Sequence, residues 1–189
     1  GHLVHGYVQW PKNGGKKPNA LALAPETEEL IVPQGYYVLV KRFSSKEERR
    51  RIMAGVYDPS RLPASDVAFE NHLNYFHAHG RPLPRDLAKG LTAFLNSTLV
   101  DSYFREWSGH TQVNASDLRR FKYPTRDQLE AFGSAIPDVF PEQNELDQRI
   151  EEDLLHMPSL KKSPDPVRAK RRVQEALSIL KDLGLPREQ

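Results

Sequence analysis

Apolar and polar positions along the chain divide it into an extended first part and a helical second part. Residues 35–43 read Gly-Tyr-Tyr-Val-Leu-Val-Lys-Arg-Phe. They are aromatic and β-branched and follow Pro33, a pattern that predicts a strand. Residues 51–57, Arg-Ile-Met-Ala-Gly-Val-Tyr, predict a second strand. The connection between them is basic. Ser45 and Glu48 have the spacing of a capping box, so a short helix and a hairpin turn both stay open there. Residues 67–77 predict a further strand, the third of an antiparallel set, with unusually many polar side chains. Residues 1–35 have no long period. Weak alternation through Val4, Gly6, Val8 and Trp10 predicts a short strand, and 11–19 reads as a basic loop carrying Lys12, Lys16 and Lys17.

After the breaker Gly80–Pro84 the period changes. Leu87, Leu91, Phe94 and Leu95 are spaced for a helix over 86–96. Leu99, Val100, Tyr103 and Phe104 mark a second helix that stops at Gly109. Asn114 to Asp117 is a suitable start for one more helical turn, ended by Pro124. A short helix at 128–133, a linker at 136–141 and a charged helix at 142–157 follow. Beyond a basic linker, Asp165 caps and Pro166 opens a last helix with Val173, Leu177, Leu180 and Leu183 on one stripe. The pattern thus separates a body, 1–125, from a helical extension, 126–189. Between strands and tail, residues 95–114 run from a packed helical stripe into a polar loop.

Composition narrows the classes. The chain has 189 residues, 38% of them hydrophobic, and no cysteine, which excludes disulfides, thiolate metal sites and thiol nucleophiles. No apolar run reaches the ~18 residues of a membrane span and no signal-peptide pattern is present, so a cytoplasmic, reducing location and no membrane partner are expected. The net charge of +2 hides an asymmetry: residues 1–125 hold 17 Lys/Arg against 12 Asp/Glu, and 126–189 hold 10 against 13. A basic body suits a polyanionic partner; ordinary surface charge is the alternative reading.

Catalytic signatures are missing. There is no Gly-rich nucleotide fingerprint and no Gly-x-Ser-x-Gly elbow. Asp58-Pro59 after Tyr57 lacks the Pro-aromatic continuation of an amino-methyltransferase site. Glu70, His72, His77 and His79 could in principle serve a small metal nuclease, but His72 and His77 would face opposite sides of a strand, and no metal is expected. His110, Gln112 and Asn114 have the chemistry to read base edges: Gln and Asn donate and accept together to adenine, and alternation would put all three on one face. Asn71, His72 and Asn74 form a second such set. Lys41, Arg42, Lys46, Arg49, Arg50, Arg119, Arg120 and Lys122 are candidates for phosphate contact. A polar loop whose side chains bond their own backbone, with Asn114 as a helix cap, is the reading of the first triplet that residue types alone favour.

Several stretches, taken in order, resemble one family: 14–20, Gly-Gly-Lys-Lys-Pro-Asn-Ala; 37–51, from Tyr-Val-Leu-Val-Lys-Arg-Phe through the basic run; 70–77, Glu-Asn-His-Leu-Asn-Tyr-Phe-His; Leu87-Ala88-Lys89-Gly90-Leu91; Leu95-Asn96-Ser97-Thr98; and 109–119, Gly-His-Thr-Gln-Val-Asn-Ala-Ser-Asp-Leu-Arg. Together they resemble the C-terminal part of adenine-specific DNA methyltransferases of the PstI/BsuBI restriction–modification type. The resemblance implies a mixed α/β domain, a mainly antiparallel curved sheet with packed helices. It implies a target-recognition region that grips double-stranded DNA while a separate catalytic domain flips and methylates adenine N6. S-adenosylmethionine would belong to that catalytic domain; no cofactor and no catalytic residue is expected in this chain, which would be inert alone. Residues 175–189 resemble the opening of the partner restriction endonuclease, a possible further partner. A metal nuclease, or a protein-interaction module docking a catalytic subunit through the last helix, are the competing functions.

Overall fold

A computed structural model describes residues 3–4, 6–9, 20–62 and 64–155. The basic loop at 11–19, the last residues of the charged helix and the final helix lie outside the described residues. Seven strands and five α-helices form the described part. The five-stranded sheet has the order β1-β2-β5-β4-β7: β1 is Leu3–Val4, β2 Tyr7–Val8, β4 Tyr37–Lys41, β5 Ala54–Tyr57 and β7 Leu73–Phe76. Only β2 and β5 run parallel. β3 (Ile31–Pro33) pairs with β6 (Asp66–Ala68) in a small second sheet. The fold is therefore the mixed, mainly antiparallel sheet with helices that the resemblance implied, with the helical C-terminal part that the residue pattern predicted.

β4 and β5 form the predicted hairpin, with Tyr37 opposite Tyr57 and Val40 opposite Ala54. Their apolar runs are continuous because both faces are covered. Val38, Val40, Ala54 and Val56 face the helices and join the larger core. Tyr37, Leu39 and Tyr57 face the small sheet, where they pack with Val32 and Val67. The basic connection between the two strands is a turn at 46–49, not a helix. The segment expected as one strand over 67–77 is divided between the two sheets. A turn at Asn71–His72, closed by the Leu73 N–H on the Glu70 carbonyl at 3.0 Å, carries the chain from one to the other. The alternation expected over 1–10 includes two short strands paired antiparallel rather than one.

The helices follow the pattern closely: α1 Arg85–Leu95, α2 Thr98–Trp107, α3 Ala115–Arg119, α4 Arg126–Ala135 and α5 Gln143–Arg149, the last extended by a π-turn over Ile150–Leu154. Ser97 caps α2 through Oγ, which accepts from the Val100 N–H, and Thr125 caps α4 in the same way through Gln128. α1 and α4 lie backbone to backbone. A Cβ built on Gly90 would sit 1.9 Å from the Leu129 carbonyl oxygen, and one on Gly133 would sit 1.8 Å from that of Asp86. Only glycine permits this approach. Leu129, Phe132, Ile136, Phe140, Leu146 and Ile150 enter the same core as Val38, Phe94 and Phe104, so the packing continues across residue 125. No helix among the described residues is long and apolar enough to cross a membrane.

Candidate nucleic-acid interface

Three segments that are distant in sequence meet at one end of the sheet. Beyond β4 the chain continues as Arg42-Phe43-Ser44. The Arg42 N–H donates to the His72 carbonyl at 2.9 Å. The Ser44 N–H donates to the Thr111 carbonyl (3.0 Å) and the Val113 N–H to that of Arg42 (2.7 Å), so Phe43 and Gln112 form an antiparallel bridge. The two sets of candidate base readers are thus parts of one surface, laced together through the end of β4.

The reason residues 110–114 stay extended lies in the burial of Val113, which is 0% exposed and anchors the segment in the core. Its neighbours Gln112 and Asn114 are half-buried, as alternation requires. The Asn114 N–H donates to Asp117 Oδ2 at 2.9 Å at the start of α3, so Asn114 stands at a helix cap as well as in the triplet. His110 is exposed, and its carbonyl accepts from the Arg51 guanidinium. In the second set, Asn74 Nδ2 donates to the Val113 carbonyl at 2.7 Å, which commits its amide to holding the loop. Asn71 is exposed, with its carbonyl taken by Arg42 Nη1 at 3.3 Å. His72 Nδ1 lies in hydrogen-bond contact with the Glu70 carboxylate, and its ring lies 5.0 Å from that of Phe43.

Phe43 was not singled out from sequence. It is 42% exposed, with the Arg42 guanidinium 5.7 Å from its ring centroid. An exposed aromatic flanked by histidine and arginine is a stacking platform. Tyr75, 39% exposed, and His77 continue a second ring pair along β7, 5.3 Å apart. The sequence signal for Phe43 was available: it follows the last paired residues of a strand, on the parity of Tyr37 and Leu39, where nothing apolar continues to cover it.

The candidate phosphate contacts divide by their partners. Lys46, Arg49 and Arg119 are exposed and make no side-chain hydrogen bond or ion pair among the described residues. Arg120 is exposed and lies over the Trp107 ring at 5.1 Å. Lys122, half-buried, follows on the same segment. Lys41 is paired with Glu48 at 2.5 Å, and this ammonium holds the Glu48 carboxyl below its usual range. Arg50 is turned inward. Its Nη2 donates to the carbonyls of Asn96 (2.6 Å) and Ser97 (2.8 Å), closing the end of α1.

Arg51 also escaped the sequence reading. It is 1% exposed and lies over the Phe104 ring at 5.0 Å. Nε donates to Ser44 Oγ at 3.0 Å and Nη2 to the His110 carbonyl. Asp101 Oδ1 accepts the N–H groups of Arg51 (2.6 Å) and Ile52 (2.8 Å), while Oδ2 takes Arg105 Nε (2.8 Å). One buried carboxylate and one buried guanidinium therefore fix the 44–52 loop, α2 and the start of the 110–114 loop to each other. The histidines proposed for metal binding are placed otherwise: His72 Nδ1 contacts the Glu70 carboxylate, and His77 Nδ1 accepts the Gly80 N–H at 2.7 Å. Among the described residues no group of three or more His, Asp or Glu converges on a point.

Comparison with known proteins identifies relatives. The chain is 50% identical over 153 residues to Type II methyltransferase M.PstI of Providencia stuartii, a match covering 81% of this chain and 30% of the relative. It is 46% identical over 157 residues to Type II methyltransferase M.BsuBI of Bacillus subtilis, covering 82% and 31%. The chain thus spans less than a third of the length of the curated relatives it matches. No family model matches the chain. No solved structure matches it.

Proposed function

We propose, from its homology to a segment of type II methyltransferases, that this chain is the target-recognition part of such an enzyme, reading duplex DNA for methylation at adenine N6. The observation that carries the reading is the convergence of Arg42–Ser44, Asn71–His72 and 110–114 at one end of the sheet. Polar side chains able to read base edges there border exposed cations, as a surface that both positions and specifies requires. Gln112 and His110 are the base readers, with Asn71 and His72 beside them. Phe43 offers a face for stacking. Asn114 and Asn74 hold the loop in shape. Arg42, Lys46, Arg49, Arg119, Arg120 and Lys122 bind the phosphates.

Methyl transfer itself is assigned to a catalytic domain elsewhere in the enzyme. The cleft beside the recognition loop is walled by Lys46, Arg51 and Arg105, which disfavours a sulfonium cation. No step of the reaction is therefore routed through this chain. A restriction endonuclease reading the same DNA site is the corresponding partner in the system.

The test is a binding titration with duplex DNA across a range of salt. Affinity should fall steeply with salt, with a slope of about −0.9 per neutralised phosphate. Arg119→Ala should weaken cognate and random duplexes alike and flatten that slope by about one. Salt-independent binding, or none at low salt, would refute the reading.

A further inference from the structure

Between the 46–51 loop and the end of α2 lies a cleft of about 390 Å³ whose wall includes Lys46, Arg51, Arg105, Glu106, Trp107 and Ser108. Three cations face one carboxylate. Arg105 is balanced by Asp101 at 2.8 Å. Arg51 has no ion pair: its guanidinium is buried, its side-chain partners are the neutral Ser44 hydroxyl, the His110 carbonyl and the Phe104 ring, and it acts on the Glu47 and Glu48 carboxylates of the same loop only at longer range. The nearby Asp101 spends Oδ1 on backbone N–H groups and Oδ2 on Arg105. A buried cation without a close ion-pair partner is costly, and an anion at its side reduces that cost.

A second observation points the same way. Trp107 Nε1 and Ser108 Oγ are buried and have no hydrogen-bond partner. The indole N–H can only donate, and the hydroxyl can donate or accept. Ser108 as a whole is 5% exposed. Two unmet donors on residues that line the cleft, beside a buried guanidinium that has no ion pair, describe a site for an oxyanion. Lys46, exposed and unpaired at the rim, supplies the approach.

We propose that this cleft binds one phosphate group, held by Arg51 and Lys46 with Ser108 and Trp107 completing its hydrogen bonds. Resting on the recognition reading above, that phosphate comes from the DNA backbone next to the bases met by the 110–114 loop. Arg51 already grips the His110 carbonyl, so phosphate capture and the position of the loop share one guanidinium. Lys46→Glu reverses the charge at the rim without touching the packed core.

The experiment follows the Trp107 indole N–H resonance of the full chain by NMR, assigned with Trp107→Phe, while inorganic phosphate is added. The resonance should move and saturate with phosphate, stay put with chloride at equal ionic strength, and need about tenfold more phosphate in Lys46→Glu. A resonance that does not move, moves equally with chloride, or is indifferent to Lys46→Glu overturns the site. A short duplex provides the second arm. Duplex that shifts the indole and blocks phosphate supports the backbone source. Duplex that binds while phosphate still titrates the indole overturns that source and leaves recognition intact. Phosphate that titrates a chain unable to bind duplex supports the pocket and sinks the recognition reading.

Discussion

Asn74 and Val113 lie 39 residues apart and meet at 2.7 Å, where the Asn74 side-chain amide donates to the Val113 carbonyl. This bond joins the edge strand β7 to the 110–114 loop. It gives the Asn74 amide nitrogen a positioning task. Asn74→Ala should cost about 1 kcal/mol of stability in urea unfolding. It should also speed amide exchange at Gln112 and Asn114, and blur DNA discrimination without changing the salt slope. Unaltered exchange in the loop would show that Asn74 does not hold it.

Asp101 carries three hydrogen bonds from the 44–52 loop and α2. Asp101→Ala leaves two buried N–H groups without an acceptor and removes the charge facing Arg105. The expected loss is about 3–5 kcal/mol, read from chemical denaturation. Asp101→Asn keeps an acceptor for one set of donors and should recover part of it. A loss under about 1 kcal/mol would place the anchoring elsewhere.

Gly90 and Gly133 let α1 and α4 touch through their backbones. Gly133→Ala places a methyl on the Asp86 carbonyl and forces the helices apart. Destabilisation of about 1–3 kcal/mol is expected in thermal unfolding, even though alanine favours an isolated helix. Stabilisation would mean that the helices separate without penalty.

Alkaline pH should unfold the chain through its buried phenols. Burial raises the ionisation of Tyr123 far above the usual tyrosine range, and Tyr7, Tyr37 and Tyr57 are raised by the same cause. A raised folded-state value favours the protonated phenol. The stabilisation is complete below the unfolded value of about 10 and is lost as pH climbs toward the folded one. Tyrosinate absorbance should therefore rise together with loss of near-ultraviolet circular dichroism. Tyr123→Phe, which forfeits the 2.8 Å bond to the Leu118 carbonyl, should make that transition shallower.

Much of the fold was legible because its signals are local. The β4 and β5 strands, the two helices either side of Ser97 and the cap at Asn114 follow from β-branched runs, 3.6-residue spacing and short polar side chains. The split of 67–77 was not legible, since whether Asn71 and His72 turn inside a mixed polar and apolar stretch is decided by which sheet captures each half. The basic run 49–51 misled for the same reason. Arg49 faces solvent, Arg50 closes a helix end and Arg51 is buried, and only tertiary contacts separate three identical side chains. The two sets of polar candidates were visible as residue types, but their union through Arg42–Ser44 depends on long-range pairing that no local pattern encodes.

The central claim is that the loop reaching from His110 to Asn114 reads bases while the cations around it bind phosphates. Selection of binding duplexes from a random-sequence pool tests it directly, comparing the unaltered chain with Gln112→Ala and Arg119→Ala. The unaltered chain should enrich a defined site. Gln112→Ala should lose preference at one position of that site, at a cost of about 1–3 kcal/mol against the preferred base. Arg119→Ala should enrich the same site at lower affinity. Enrichment of an identical site, base for base, by Gln112→Ala would contradict the account.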